Sequence, residues 1–228
     1  MKESGIENFV DFEFPPMMAS LHDPTENFPH GSDISWKRAK DFLVPLNGRN
    51  PQMFGRETLV PGDIIPGSLG DSWFASALAC LSEKESLIRK LFITQSYHND
   101  GVYKIQICKG GIWREMTVDD YFPCSATTNA MALFTRSKQH LLWVLLLEKA
   151  YAKVHQNYYT LRGGLVSEAL ADLTGFPTEM IPLDRDDTVR NMQQGRFFLQ
   201  MSQNLFNGYL IAASTEGEEL WAEIDEYQ

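Results

Sequence analysis

The amino-acid sequence predicts an α+β domain built around a long buried central helix and a β-hairpin. The stretch QHLLWVLLLEKAYAKVHQNY, residues 139–158, is apolar around most of its helical circumference, which is typical of a helix buried on all sides. The stretch GVYKIQICKGGIWREMTVDD, residues 101–120, alternates apolar and polar residues around a Gly-Gly pair, which predicts a hairpin. A further helix is predicted from Ser72, where apolar residues recur at helical spacing.

Further elements are predicted from local patterns elsewhere in the chain. They are a short helix in SDISWKRAKDFL capped by Ser32 or Asp33, a helix from Glu83 to Phe92, a helix in GGLVSEALADLTG ending at Gly175, a strand after residue 176, and a helix in GRFFLQMSQNLFNGYLIAAST leading into an apolar strand. Helices therefore dominate the predicted fold.

Length and composition limit the class of protein. The 228 residues, 43% of them hydrophobic, suit one globular domain, which we divide into an irregular N-terminal arm (1–55), a core (56–215) and an acidic C-terminal segment (216–228). A net charge of −10 disfavours nucleic-acid binding, and no apolar run is long enough for a membrane span. Three cysteines form no even disulfide set, so we expect a reducing, cytoplasmic location.

The segment PGSLGDSWFASALACL, residues 66–81, is a Gly-rich turn that runs into a helix and holds Ser72 at the helix start. A nucleophile there gains from the helix dipole, but a serine hydroxyl also needs a neighbouring general base. The alternative interpretation is a first-turn serine that bonds only to the backbone. The tripeptide Gly-Asp-Ser alone favours that alternative.

The wider context resembles the calpains, which are papain-like cysteine proteases usually activated by calcium. DIIPGSLGDSWFASALACLSE is similar to their active-site segment, and the hairpin sequence at 101–120 is similar to theirs. LWVLLLEKAYAKVHQNYYTLRGGLVSEALADLTG resembles the family's central helix with its following Gly-Gly, and GYLIAAST resembles the strand that closes the first half of the core. The resemblance covers about residues 14–215 and implies a papain-like fold, represented by the first, helix-rich half of a calpain core.

The resemblance assigns roles residue by residue. Ser72 occupies the nucleophile position, which is cysteine in active members, and Pro66 aligns with the glutamine that helps form the oxyanion hole. Proline has no side-chain amide, and losing one oxyanion donor costs about 3 kcal/mol of transition-state stabilisation. The family's catalytic histidine and asparagine follow a Gly-His-Ala-Tyr-type motif after the AAST strand, whereas all five histidines here precede that strand.

Three functions stay open on these grounds. The first is a catalytically inactive calpain-like domain that acts as a binding or regulatory module toward a protein partner or polypeptide. The second is the first half of a calcium-dependent endopeptidase, inactivated by an engineered Ser72 or truncated, whose histidine and asparagine come from a second protease-core half. The third is a domain that uses the fold only as a packing scaffold.

The resemblance also implies calcium. Family members bridge loops beside the active-site helix with two acids, here Asp63, nine residues before Ser72, and Glu168. Calcium takes six to eight oxygen ligands, so backbone carbonyls near Arg56 and Thr58 would complete the site. Asp63 and Glu168 are otherwise ordinary surface acids or helix caps.

Two further groups of charged residues carry structural predictions. Asp119 and Asp120 end the predicted hairpin before Tyr121, where Asp residues bond to their own backbone in turns. Glu148 on the central helix is predicted to be solvated or paired with Lys149 or Lys153. Neither group is predicted to be catalytic.

Overall fold

Helices provide most of the regular structure. The computed structural model describes residues 8–23, 25, 34–55, 58–125 and 133–215, and the acidic segment 216–228 and the predicted caps Ser32 and Asp33 lie outside these ranges. The helices in the described ranges are α1 Met18–Leu21, α2 Ala39–Asn47, α3 Ser72–Ser82, α4 Glu85–Leu91, α5 Leu142–Val154, α6 Val166–Thr174, α7 Asp186–Gln193 and α8 Arg196–Phe206, with 3-10 turns at Pro61–Asp63 and Tyr159–Leu161. No helix in this part of the chain is both long and apolar enough to cross a membrane.

Short antiparallel pairs make up the strand content. The strands in the described ranges are β1 Ile34–Arg38, β2 Ile64–Ile65, β3 Val102–Lys109, β4 Ile112–Asp119, β5 Tyr121–Ser125 and β6 Arg136–Ser137. They form three two-stranded sheets in which β1 pairs with β5, β2 with β6 and β3 with β4. The prediction of a mixed α+β domain is confirmed, and the arrangement is consistent with a calpain-type core.

The β3–β4 hairpin forms where it is predicted. Gly110 and Gly111 have φ angles of 62° and 77°, the two positive values that a two-residue turn matching strand twist requires. The resulting register places Lys109 opposite Ile112. Tyr103, Ile105 and Ile107 face inward, and all three are fully buried.

Helix α5 is the centre of the core, as its composition predicts. Every residue from Leu142 to Ala152 is buried, including Glu148 and Lys149, and the helix contacts β3, β4 and β6. Helix α6 packs against α3 and β3 and ends at Gly175, whose left-handed conformation (φ 70°) is the predicted C-terminal cap. These two helices and the hairpin form the frame on which the candidate site is built.

The short helix predicted over SDISWKRAKDFL is wrong in its first half. Residues Ile34–Arg38 form β1, which pairs with Tyr121–Ser125, and the helix begins only at Ala39. The strand partner lies more than 80 residues away in sequence, so a local pattern cannot reveal it. The predicted N-terminal arm also contributes core side chains, because Phe14 and Leu21 are fully buried.

The strands predicted between residues 176 and 215 are also wrong. This part of the chain holds helices α7 and α8, and the residues described after Phe206 are irregular. The predicted helix in this region is confirmed as α8. An apolar sequence forms a strand only against a neighbour that accepts its backbone hydrogen bonds, and no strand is assigned within the described stretch 176–215.

Candidate active site

Ser72 is the first residue of helix α3 and is exposed to solvent. The carbonyl oxygen of Asp71 accepts the first helical hydrogen bonds, from the backbone N–H groups of Phe74 (2.8 Å) and Ala75 (3.0 Å). The side chain of Ser72 therefore lies at the positive end of an 11-residue helix. This is the placement that the sequence predicts for a nucleophile.

The turn before Ser72 is fixed to the segment that follows α5. Gly70 adopts a φ of 82°, and its carbonyl oxygen accepts a hydrogen bond from the N–H of Gly163 at 3.1 Å. The indole N–H of Trp73 donates to the carbonyl of Leu161 at 2.7 Å. A Cβ atom on Gly164 would lie 2.4 Å from the indole ring, so only glycine fits this packing. The Gly-Gly pair and Trp73 together hold the start of α3 in place.

Pro66 lies directly after β2 and is exposed. The next residue, Gly67, packs so closely on the backbone of Phe134 that a Cβ atom would lie 2.3 Å from it. The backbone N–H of Ser68 donates to the carbonyl of Leu133 at 3.0 Å. The loop that carries Pro66 is thus held by close backbone contacts, but Pro66 itself contributes neither a side-chain amide nor a backbone N–H.

Two carboxyl groups are buried behind the start of α3. Asp71 and Glu148 have exposed fractions of 0% and 1%, and they hydrogen-bond to each other. Burial, and secondarily the charge of Asp71, raises the pKa of Glu148 well above its usual range. Glu148 also accepts a hydrogen bond from the backbone N–H of Thr135 at 2.9 Å. The prediction that Glu148 is solvated or paired with a lysine is therefore wrong.

Asp119 and Asp120 are buried in separate ion pairs. Asp119 pairs with Lys149 and accepts the backbone N–H of Tyr121 at 2.9 Å, which is the turn bond predicted for it. Asp120 pairs with Arg38 at 2.5 Å, and burial raises the pKa of Asp120 to about 6 despite the guanidinium charge. Each aspartate has its own cation inside the core, and this arrangement gives the pair a structural role.

The two acids predicted as calcium ligands lie on two different elements that each contact α3. Asp63 ends the 3-10 turn that contacts α3, and its Oδ2 accepts a hydrogen bond from the Gln139 side chain at 2.6 Å. Glu168 is in the first turn of α6, which also contacts α3, and its Oε1 lies 2.7 Å from Nζ of Lys109. The two acids therefore have different polar partners, Gln139 for Asp63 and Lys109 for Glu168. Thr58 is exposed, and Arg56 lies outside the described residues.

Comparison with known proteins places this arrangement in a family. The model of the calpain family cysteine protease matches residues 9–226. The chain belongs to the calpain family of cysteine proteases. It is 38% identical over 215 residues to the calpain-type cysteine protease DEK1 of Arabidopsis thaliana, an alignment that covers 92% of this chain and 10% of that protein.

A mouse calpain is similar over a shorter stretch. The match to the calpain-1 catalytic subunit of Mus musculus is 36% identical over 190 residues and covers 80% of this chain and 25% of that protein. The chain thus spans between a tenth and a quarter of the length of these relatives. The family assignment made from the motif around Ser72 is confirmed.

Within this calpain-type domain, the motif identified the start of α3 but not the groups that support it. The sequence analysis did not predict the buried pair of Asp71 and Glu148. A signal was available, because Glu148 and Lys149 are adjacent charges in an otherwise apolar helix and buried charged residues need partners. A second cluster, which joins Lys109 and His155 to acids on α6, was also missed. No local pattern indicates it, since its members lie on three different elements.

Proposed function

We propose that this chain is a catalytically inactive calpain-type domain that acts as a binding or regulatory module for polypeptides. One observation carries the proposal: hydrogen bonds from Trp73 and Gly163 hold the start of α3 in place, yet Ser72 and Pro66 stand at the positions that align with the family's thiol nucleophile and oxyanion glutamine. A turn that is held in place while both reactive groups differ offers a surface for polypeptides. It does not retain the means to cleave them.

The chemistry supports inactivity at both positions. A helix N-terminus can lower a thiol pKa by several units, so that the thiolate forms at neutral pH. A serine hydroxyl does not ionise there and depends on a general base to remove its proton. Pro66 removes a donor worth about 3 kcal/mol to the developing oxyanion. Attack by the nucleophile and charge development on the oxyanion occur in the same step, but they depend on different groups, so reverting one change does not compensate for the other.

The test of inactivity uses fluorescently labelled casein in millimolar calcium. The wild-type chain and the Ser72→Cys, Pro66→Gln and doubly substituted variants are each assayed for hydrolysis and, by fluorescence anisotropy, for binding. We expect saturable binding by all four proteins and hydrolysis by none. Hydrolysis by the Ser72→Cys variant alone would overturn the proposed inactivity, and absence of any saturable binding would overturn the proposed role as a polypeptide-binding module.

A second candidate function is the first half of a calcium-dependent cysteine endopeptidase. The observation that favours it is the apolar surface of α8 and the residues after it. The exposed fractions are 73% for Phe198, 67% for Leu199, 92% for Phe206 and 64% for Tyr209. Neighbouring apolar side chains with this exposure are typical of an interface. The partner would be a second protease-core half that carries the family's histidine and asparagine.

That candidate is tested by adding the second half. The doubly substituted variant is mixed with the histidine-bearing half of a calpain, complex formation is measured by sedimentation velocity, and casein hydrolysis is measured in parallel. The endopeptidase function requires a 1:1 complex with calcium-dependent activity. Complex formation is expected to be lost in a Phe198→Asp, Phe206→Asp variant. A mixture that forms no complex would contradict this function without affecting the proposed binding role.

Calcium binding by Asp63 and Glu168 also belongs to the proposal. Both acids are carried by elements that pack on α3, and carboxylate oxygens are the ligands that calcium prefers. Binding would require Glu168 to exchange its contact with Lys109 for the ion. Bound calcium would supply no chemistry of its own here and would tie two elements beside the start of α3 together. A cytoplasmic location stays a prediction.

A further inference from the structure

Four polar side chains meet where the tip of the β3–β4 hairpin lies against α6. Nζ of Lys109 is 2.7 Å from Oε1 of Glu168, 2.8 Å from Oδ2 of Asp172 and 3.1 Å from Nε2 of His155. The ligand atoms of His155, Glu168 and Asp172 all lie within 4.8 Å of one another. One imidazole and two carboxylates thus converge on a single point, which a cationic group already occupies.

Hydrogen bonds orient these groups as they do around metal ions. Nδ1 of His155 lies 2.9 Å from the backbone carbonyl of Tyr151, so Nδ1 carries the proton and Nε2 keeps its lone pair. The hydroxyl of Tyr151 donates to Oδ2 of Asp172 at 2.9 Å. Carbonyl and hydroxyl partners of this kind fix the tautomer and orientation of ligating side chains. Tyr151 is itself fully buried, which makes this support rigid.

The cluster combines a fixed set of ligands with one movable cation. Glu168 and Asp172 are one turn apart on α6, and His155 directly follows the last residue of α5. Lys109, in contrast, is the last residue of β3, and 31% of its side chain is exposed. A lysine side chain is long and flexible, so its ammonium group can leave the cluster for solvent without any change in the backbone.

We propose that His155, Glu168 and Asp172 form a binding site for a transition-metal dication of the zinc class, and that the ammonium group of Lys109 occupies this site when the metal is absent. Imidazole nitrogen together with carboxylate oxygen suits zinc or cobalt, whereas calcium and magnesium prefer oxygen alone. Two carboxylates balance a dication fully, but the ammonium group of Lys109 balances only one of them. Water would complete the coordination shell.

The test uses the whole chain without a histidine tag. Zinc binding is measured by titration calorimetry, and cobalt binding by visible absorption, which reports coordination geometry. Removing the competing charge in Lys109→Met should tighten zinc binding about tenfold, because the ammonium group and the metal repel each other at short range. His155→Gln and Glu168→Gln should weaken binding about tenfold or more, since each removes or weakens one ligand. His98→Gln is the matched control and should leave binding unchanged.

The zinc affinities of these variants distinguish a specific site from non-specific binding of zinc to the protein surface. Zinc affinity that is equal in the wild type, His155→Gln and His98→Gln would overturn the proposal, as would absence of saturable zinc binding by the wild type and Lys109→Met. Asp63→Asn should leave zinc binding intact, because Asp63 is not a member of the cluster. Glu168 belongs to both proposed sites, but Asp63→Asn and His155→Gln each change only one of them, so failure of the zinc site is distinguishable from failure of the calcium site and of the polypeptide-binding role.

Discussion

Glu148 on helix α5 shares a hydrogen bond with Asp71, the residue that immediately precedes helix α3. Both carboxyl groups are buried, and the raised pKa of Glu148 keeps it protonated, so that its hydroxyl group donates to Asp71. The backbone N–H of Thr135 donates to Oε1 of Glu148. One buried acid thus joins the central helix to the turn that carries Ser72.

The first prediction is that Glu148→Gln stabilises the protein, and does so more strongly at higher pH. In the unfolded chain Glu148 ionises near its ordinary pKa of 4.5, whereas in the folded protein it retains its proton. The folded state then binds more protons above that pH, and the free energy of unfolding of the wild type declines by up to about 1.4 kcal/mol per pH unit. Glutamine does not titrate and can still donate to Asp71, so the variant lacks this decline.

This prediction is checked by urea unfolding of the wild type and of Glu148→Gln at several pH values between about 5 and 7. Glu179→Gln serves as the control, because Glu179 is exposed and its substitution should produce no pH-dependent difference. A stability difference for Glu148→Gln that stays constant across this range would contradict the assignment of a protonated Glu148.

The second prediction concerns the ion pair of Lys149 and Asp119, in which both side chains have an exposed fraction of 0%. Lys149→Met leaves the Asp119 carboxylate buried without its cation, and breaking a buried pair in this way costs about 3–5 kcal/mol. We expect a loss of that size in the free energy of unfolding. Lys104→Met breaks the half-exposed pair with Glu115 and should cost less than about 1 kcal/mol. Equal losses in the free energy of unfolding of the two variants would contradict the prediction that the buried ion pair matters more to stability than the half-exposed one.

The third prediction tests the packing of Gly164 on Trp73. Gly164→Ala inserts a methyl group where the indole ring stands 2.4 Å away, and overpacking of this kind costs about 1–3 kcal/mol. Gly62→Ala is the control, since a Cβ atom there meets no atom within 4 Å, and it should change stability by less than about 0.5 kcal/mol. Urea unfolding measures both variants, and a neutral Gly164→Ala would show that Trp73 is free to shift.

The features that local patterns encode were predictable from the sequence. Three predicted features depend only on neighbouring residues, and the structure has all three. They are the burial of α5 around its whole circumference, the Gly-Gly turn of the hairpin and the cap at Gly175. The position of Ser72 at a helix start followed from its motif. These features depend on backbone geometry and helical or strand periodicity, which a single segment determines by itself.

The features that were missed depend on distant partners. Strand β1 exists because Ile34–Arg38 pairs with β5, and the cost of burying Glu148 on α5 is offset by its hydrogen bonds with Asp71 and Thr135. The cluster at Lys109 draws its acids from residues about 60 positions further along the chain. A pattern within one segment gives no information on contacts with distant segments. The sequence can therefore indicate that a charged residue is buried, but it cannot identify the residue with which it pairs.

The last prediction concerns calcium. If Asp63 and Glu168 are ligands, millimolar calcium chloride should raise the midpoint of thermal unfolding, because an ion that binds only the folded state adds about 2.7 kcal/mol of stability at 100 times its dissociation constant. Asp63→Asn and Glu168→Gln should each abolish most of the shift. Gln139→Ala removes the hydrogen-bond donor to Asp63 and should preserve the shift.

The His155→Gln variant shows whether calcium binds between Asp63 and Glu168 or in the cluster of His155, Glu168 and Asp172. Glu168 contacts Lys109, and the ammonium group must leave for calcium to bind there. Lys109→Met should therefore increase the calcium shift, while His155→Gln should leave it unchanged, because calcium does not favour imidazole nitrogen. A calcium shift that survives Asp63→Asn but is lost in His155→Gln would place the ion in the cluster on α6 and remove Asp63 from the site.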